Sequence, residues 1–342
     1  MRTFISKSLA TVATLAAMGL APMTSTASDT EPVKVVASFS ILADMVKQVG
    51  GDYVSVTSLV GPNEDPHVFD PSPADAKALA DADMVVINGM HFEGWIDRLI
   101  KSSGFDGKLV VASDGVVPID ISGDEHHQHG EHEHHDDDKH DHGDDGHKHD
   151  DHKHNHAGHD HHDHGDVDPH AWQSLSNASV YVQNIQDALV DIRPAVAGDV
   201  VALTGIYLQQ IDELNQKIID QFNEIPKDAR RVVASHDAFA YFGQAYDIKF
   251  FTLQGLTTEQ EPSAADIANL VREIKKDKIK ALFVENISDP RLLNRVAEEA
   301  GVAVGGKLYS GALSAPGTAA DTYLKMMAYN ADAIFKALRN SK

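Results

Sequence analysis

The 342-residue chain is 42% hydrophobic, enough to bury a sizeable core and most readily arranged as two domains. Its formal net charge of -23 argues against nucleic acid as a partner. It contains no cysteine, which excludes disulfides and thiolate zinc sites, so a transition metal would have to be held by imidazole and carboxylate.

Residues 1–27 read as a secretory signal peptide. Arg2 and Lys7 precede an apolar run from Leu9 to Ala21, and small residues follow, with a small-x-small site near Ser25–Ala27. The run is too short to span a bilayer, and no later segment reaches the ~20 apolar residues of a membrane helix. With no cysteine to carry a lipid after the signal, the mature chain is expected to be freely soluble in the periplasm.

From residue 28 to 123, short apolar runs alternate with helical patterns. VKVVASF (33–39), VSVTSLV (54–60), DMVVING (83–89) and KLVVAS (108–113) read as strands. Helices are expected at Ile41–Val49, over ADAKALADA, and over FEGWIDRLIKSSG. Ser72-Pro73 supplies a cap followed by proline at the first helical position. This alternation predicts a parallel sheet with helices on both faces.

Residues 124–165 are a different kind of chain, almost wholly His, Asp, Glu, Lys and Gly. They carry seventeen of the twenty-one histidines: His126, His127, His129, His132, His134, His135, His140, His142, His147, His149, His152, His154, His156, His159, His161, His162 and His164. Residues 124–168 hold sixteen acidic residues and three lysines, a net of -13. Such a segment has no apolar surface to offset the chain entropy lost on ordering, so a disordered insertion is expected. Its imidazoles, largely neutral at pH 7, and its carboxylates suit several weak metal sites, an auxiliary zinc collector. A solvated acidic spacer is the plainer alternative.

After a return segment with a helix (166–195), apolar residues recur at helical period from Val200 to Phe222 within 196–225, a long linking helix of about 45 Å. Residues 226–342 then repeat the first pattern. RRVVASH (230–236), IKFFTLQG (248–255), KALFVEN (280–286) and AVGGKLYS (303–310) read as strands, with helices at Phe239–Tyr246, Ser263–Lys276 and Arg291–Glu299. The expected fold is α/β: two similar lobes, each a four-stranded parallel sheet with flanking helices, joined by a long rigid helix.

Only four histidines lie outside the tract: His67, His91, His170 and His236. Ligands in open parallel sheets bind beyond the carboxyl ends of the strands. His67, His170 and His236 sit in strand-end loops that can face one cleft, and His91 occupies a similar level. Three imidazoles with an oxygen ligand or water suit tetrahedral zinc, whereas manganese favours more carboxylate oxygen. Singly, each is more often an ordinary hydrogen-bonding residue, and their long separations form no compact metal motif.

VVASFSILADMVKQVGGD, GPNEDPHVFDPSPAD, INGMHFEGWIDRL, DVDPHAWQS, VVASHDAFAYF, TTEQEPSAADIANLVREIK and ALFVENI together resemble the metal-binding periplasmic solute-binding proteins of zinc and manganese ABC transporters. The resemblance implies two α/β lobes with the metal in the cleft between them. It carries ligand roles onto His67, His170 and His236 and none onto His91, which is taken as a supporting or structural residue. The manganese branch typically has glutamate at the third position, so His236 points to zinc. Relatives usually place an aspartate in the last loop as fourth ligand. LYSGALSAPG has Gly311 there. Water completing the tetrahedron, Asp321 reaching in, or a shifted alignment of this loop remain open; water is favoured, with weaker binding or faster release expected. Restoring aspartate at 311 should then tighten binding.

The resemblance implies periplasmic zinc capture and delivery to an ABC permease in the inner membrane, with no chemistry performed. A periplasmic zinc chaperone is left as an open partner, and a monomer is expected. TTEQEPS (257–263) is expected as a mobile lid, with an ordinary connecting loop as the alternative. Two other functions compete: a zinc metalloenzyme with a three-histidine site and an open water position, and a metal-dependent adhesin. Against the enzyme, the chain has no HExxH, nucleophile elbow or phosphate loop. Against the adhesin, no anchor is evident.

Overall fold

The structure of the protein, a computed structural model, describes residues 31–121, 167–259 and 261–340. The expected signal peptide and the His/Asp tract lie outside the described residues.

Apolar runs rich in valine build two parallel sheets. β1 (Val33–Phe39), β2 (Val54–Val60), β3 (Met84–Ile87) and β4 (Lys108–Val111) form the first, in the order β2-β1-β3-β4. β5 (Arg231–Ala234), β6 (Lys249–Thr252), β7 (Ala281–Glu285) and β8 (Val304–Leu308) form the second, in the order β6-β5-β7-β8. Every pairing is parallel, so each strand must be followed by a crossover. The crossovers are α1 (Ser40–Gly50), α2 (Pro73–Ala80) and α3 (Ile96–Ser103) in the first lobe. In the second they are α6 (Ala240–Tyr246), α7 (Ala264–Lys276) and α8 (Pro290–Ala300). The lobes are thus topological copies. Even a capping detail repeats: Ser72 with Asp75 opens α2, and Ser263 with Asp266 opens α7, each as a reciprocal capping box.

Three further helices lie outside these crossovers: α4 (Leu175–Ile192), α5 (Ala197–Asn223) and α9 (Tyr323–Asn340). The 27 residues of α5 span about 40 Å. It packs on α1 and α4 of the first half and on α6 and α9 of the second. α9 is absent from the elements expected above, although Tyr323, Met326, Met327, Ile334 and Leu338 form a buried stripe at helical spacing. One apolar cluster runs from the first sheet through α5 to Val232, Ala234 and Phe283 of the second sheet. Val233 and Leu282, on the opposite face, pack with α7 and α8 in a second cluster. The alternation follows from the period of two along a strand.

Polar contacts also cross the seam. The Asn63 amide donates to Leu313 O (2.9 Å), and the Leu313 amide to Ser40 Oγ (3.0 Å). Trp172 Nε1 donates to Ser310 O (2.9 Å), and Tyr241 Oη to Asp168 O (2.9 Å). At the edge of the first lobe, Asp120 and Val167 form an antiparallel bridge. That bridge joins the two flanks of the tract.

Among the described residues no helix is long and apolar enough to cross a membrane. Phe222 of α5 is 1% exposed and meets Phe242, Tyr246 and Phe335 at ring distances of 6.2, 5.9 and 6.3 Å. Phe222→Ala is therefore expected to cost about 3–5 kcal/mol in denaturant unfolding. A loss within the range of surface substitutions would show that α5 does not carry the shared core.

Candidate metal centre

Loops leaving the carboxyl ends of the strands meet at the seam. His67 lies between β2 and α2, and His236 lies two residues beyond β5. His170 precedes the short 3-10 turn Ala171–Gln173 that leads into α4. Their rings form a near-equilateral triangle: 5.4 Å from His67 to His170, 5.5 Å from His67 to His236, and 5.4 Å from His170 to His236. One nitrogen of each lies within 4.8 Å of the other two. His67 Nε2 and His170 Nε2 are 3.3 Å apart. His170 and His236 are fully buried, whereas His67 is partly exposed.

Each buried ring is turned by a carboxylate. His170 Nδ1 lies 2.8 Å from Asp168 Oδ1, and His236 Nδ1 lies 2.6 Å from Glu285 Oε2. Donation from His170 Nδ1–H to Asp168 leaves that ring's Nε2 lone pair aimed into the seam, the tautomer a metal ligand requires, whereas His236 Nδ1 meets Glu285 as an ion-pair contact. His236 Nε2 has no hydrogen-bond partner. Glu285 reaches His236 because β7 lies beside β5 in parallel register, with Val232 opposite Ala281 and Val233 opposite Leu282. Its other oxygen accepts the His236 amide at 2.9 Å.

Asp-Pro-His occurs twice, at 65–67 and at 168–170, with one local structure. In each, the aspartate Oδ1 accepts the histidine amide two residues on, at 2.9 Å. The copies then diverge. Asp168 also holds its own histidine ring, whereas Asp65 Oδ2 accepts Thr258 Oγ1 at 2.5 Å. That bond ties the TTEQEPS loop of the second lobe to the loop of His67.

The wall behind the imidazoles is apolar. Phe92 sits 4.8 Å from His67 and 5.7 Å from His170, and Trp172 5.3 Å from His170. Burial holds the His170 imidazole well below its usual pKa, helped by the charge on His236. At His236 burial pulls the same way, but the Glu285 charge and hydrogen bond outweigh it and raise the pKa. The Asp168 carboxyl is pushed up to about 7 by burial. Glu285 is lowered: burial acts against its charge, and His236 more than offsets it.

The remaining sequence candidates fall elsewhere. His91 is outside the triangle, exposed at the mouth of a pocket whose lining includes His67. Asp321 does not reach the site; it bonds Lys325 Nζ (2.7 Å) and the Gly317 amide (2.8 Å). Gly311 does lie beside the centre: a Cβ there would stand 3.3 Å from Pro66 Cγ and 3.1 Å from Ile287 Cδ1. Asp168, Glu285, Asp65 and Thr258 were not singled out from sequence. The doubled Asp-Pro-His is a signal for the two aspartates; an acidic residue ending the apolar run ALFVE is a weaker one for Glu285.

Two copied α/β lobes on a shared helix, with a buried triangle of imidazoles at their seam, define a metal-binding solute receptor. Residues 35–337 match the family described as Zinc-uptake complex component A periplasmic (ZnuA), and the chain belongs to that family. It is 31% identical over 327 residues to the manganese-binding lipoprotein MntA of Halalkalibacterium halodurans, covering 96% of this chain and 95% of that one. It is 28% identical over 321 residues to the manganese ABC transporter substrate-binding lipoprotein PsaA of Streptococcus pneumoniae, covering 92% of each. Among solved structures it resembles the periplasmic zinc-binding protein TroA of Treponema pallidum, with a TM-score of 0.74 at 25% identity, covering 90% of this chain and 99% of that one. The protein is a substrate-binding component of a metal ABC transporter, not an enzyme. The metal is cargo, and a permease and ATPase are its partners.

Removing the carboxylate behind a ligating imidazole typically lowers metal affinity by about 10–100-fold. Asp168→Asn is expected to do so while the protein stays folded, as read by metal titration with circular dichroism. Unchanged affinity would show that Asp168 does not orient the His170 ring.

Proposed function

We propose that this chain captures zinc in the periplasm and hands it to the permease, with His67, His170 and His236 as ligands. The 3.3 Å between His67 Nε2 and His170 Nε2 carries the reading. Two ring nitrogens that close repel, lone pair to lone pair, unless a proton or a cation stands between them. Tetrahedral zinc with Zn–N of about 2.0–2.1 Å separates its ligand nitrogens by about 3.3–3.4 Å. Among the described residues no carboxylate joins the group, a donor set that favours zinc over manganese. The relatives named for manganese make this the point to test.

In this reading a water takes the fourth position beside Gly311, and the His/Asp tract collects zinc at weaker sites and supplies the cleft. The receptor acts as a monomer.

Native mass spectrometry with competing zinc and manganese is the test. The full chain is expected to hold one zinc tightly and several weakly. His236→Ala is expected to lose the tight site, and deletion of 124–165 only the weak ones. Manganese displacing zinc from the tight site, or that site surviving His236→Ala, would overturn the reading. Gly311→Asp supplies a fourth ligand, but its Cβ must displace Ile287 Cδ1 or Pro66. Ile287→Val removes the nearer obstacle, so the double variant is expected to bind zinc more tightly than Gly311→Asp alone. Equal affinities for the two would count against a carboxylate reaching the ion from position 311.

A further inference from the structure

The loop after β3 has an unusual backbone. Gly89, Met90 and His91 follow one another with φ of 87°, 53° and 58°. Glycine suits such values, and the first position needs it, because a Cβ on Gly89 would lie 2.5 Å from Val111 Cγ1. Met90 and His91 do not suit them; left-handed backbone is unfavourable for residues with a Cβ and persists only where surroundings enforce it.

The enforcing group is Glu93, a carboxylate only 5% exposed. It accepts the Asn88 amide (2.6 Å), the Gly89 amide (3.3 Å) and Ser38 Oγ (2.6 Å). The Phe92 amide closes the turn on Gly89 O at 3.0 Å. The result is a sharp division between neighbours. Phe92 turns inward, 4% exposed, against the rings of His67 and His170. His91 turns outward, exposed, onto the pocket lined by His67, Met90, Phe92, Leu256 and Thr257.

The burial of the triangle makes that position matter. His170 and His236 are 0% exposed, whereas His67 is partly exposed. An ion exchanging with solvent therefore passes over His67, on the side where His91 stands. A hydrated divalent cation must shed several waters before three imidazoles can surround it, and one ligand offered outside the cage divides that loss into steps. We propose that His91 is a transit ligand, holding the ion briefly between solvent and His67 during loading and release. The proposal rests on metal capture by the triangle and adds the route to it.

Both tryptophans of the chain stand beside the site. The Trp172 ring is 5.3 Å from His170, and Trp95 Nε1 donates to Pro66 O, beside His67, at 2.9 Å. Stopped-flow tryptophan fluorescence on the full chain, with zinc chloride for loading and EDTA for release, is the measurement, calibrated against zinc occupancy by native mass spectrometry. His91→Asn keeps a side chain that tolerates left-handed backbone and removes the imidazole. A ligand used only on the path changes both rates by one factor, so His91→Asn is expected to load and release zinc several-fold more slowly at unchanged equilibrium affinity. His91→Gly, which relaxes the turn, is expected to show the same slowing. Unchanged rates in both variants would overturn the transit role while leaving capture intact. Faster release with lower affinity would also overturn it, showing that His91 props the cage. No tightly held zinc in the unsubstituted chain by native mass spectrometry would instead remove the capture reading itself.

Discussion

Two imidazoles are packed against buried carboxylates, and each ring presents one nitrogen to the seam. The carboxylates are Asp168 for His170 and Glu285 for His236, with all four groups nearly or wholly removed from water. An orphaned buried polar atom costs about 1–3 kcal/mol, and His236 Nε2 is such an atom. The two buried imidazoles are thus fixed in place, whereas the partly exposed His67 belongs to the loop tied across the seam by Asp65 and Thr258.

The lobes share a topology but not a task. The first supplies His67 and His170, and the second supplies His236 and Glu285. The junction between them is a continuous apolar cluster through α5 rather than a thin linker. Parting the lobes as rigid bodies would expose part of that cluster, whereas the loops at the mouth are joined by a few polar contacts. Local movement of those loops is the less costly way to open the site.

Gly311 illustrates how one position alters a centre without disturbing the fold. It approaches Pro66, the residue before His67, so a side chain there would press on the His67 loop. Ile287 fills the rest of that space. Position 311 thus makes apolar contacts, and the carboxylates near the centre are Asp65, Asp168 and Glu285.

Much of the architecture was legible in the chain. β1 and β2 fall where the valine-rich runs place them, and the two capping boxes are visible as Ser-x-x-Asp, because strands and helix starts depend on neighbours in sequence. α9 was legible in principle, its buried stripe having helical spacing. The residues around the three imidazoles are another matter. His67, His170 and His236 are separated by long stretches of chain, and only strand order and register bring their nitrogens within 4.8 Å. Glu285 becomes the partner of His236 because β7 lies beside β5. The left-handed backbone at Met90 and His91 follows from a buried carboxylate that no local preference reveals. Sequence alone determined which elements form and which residue types are available to a metal; packing between distant segments decided which side chains meet, because nothing in local periodicity encodes the distance between two loops.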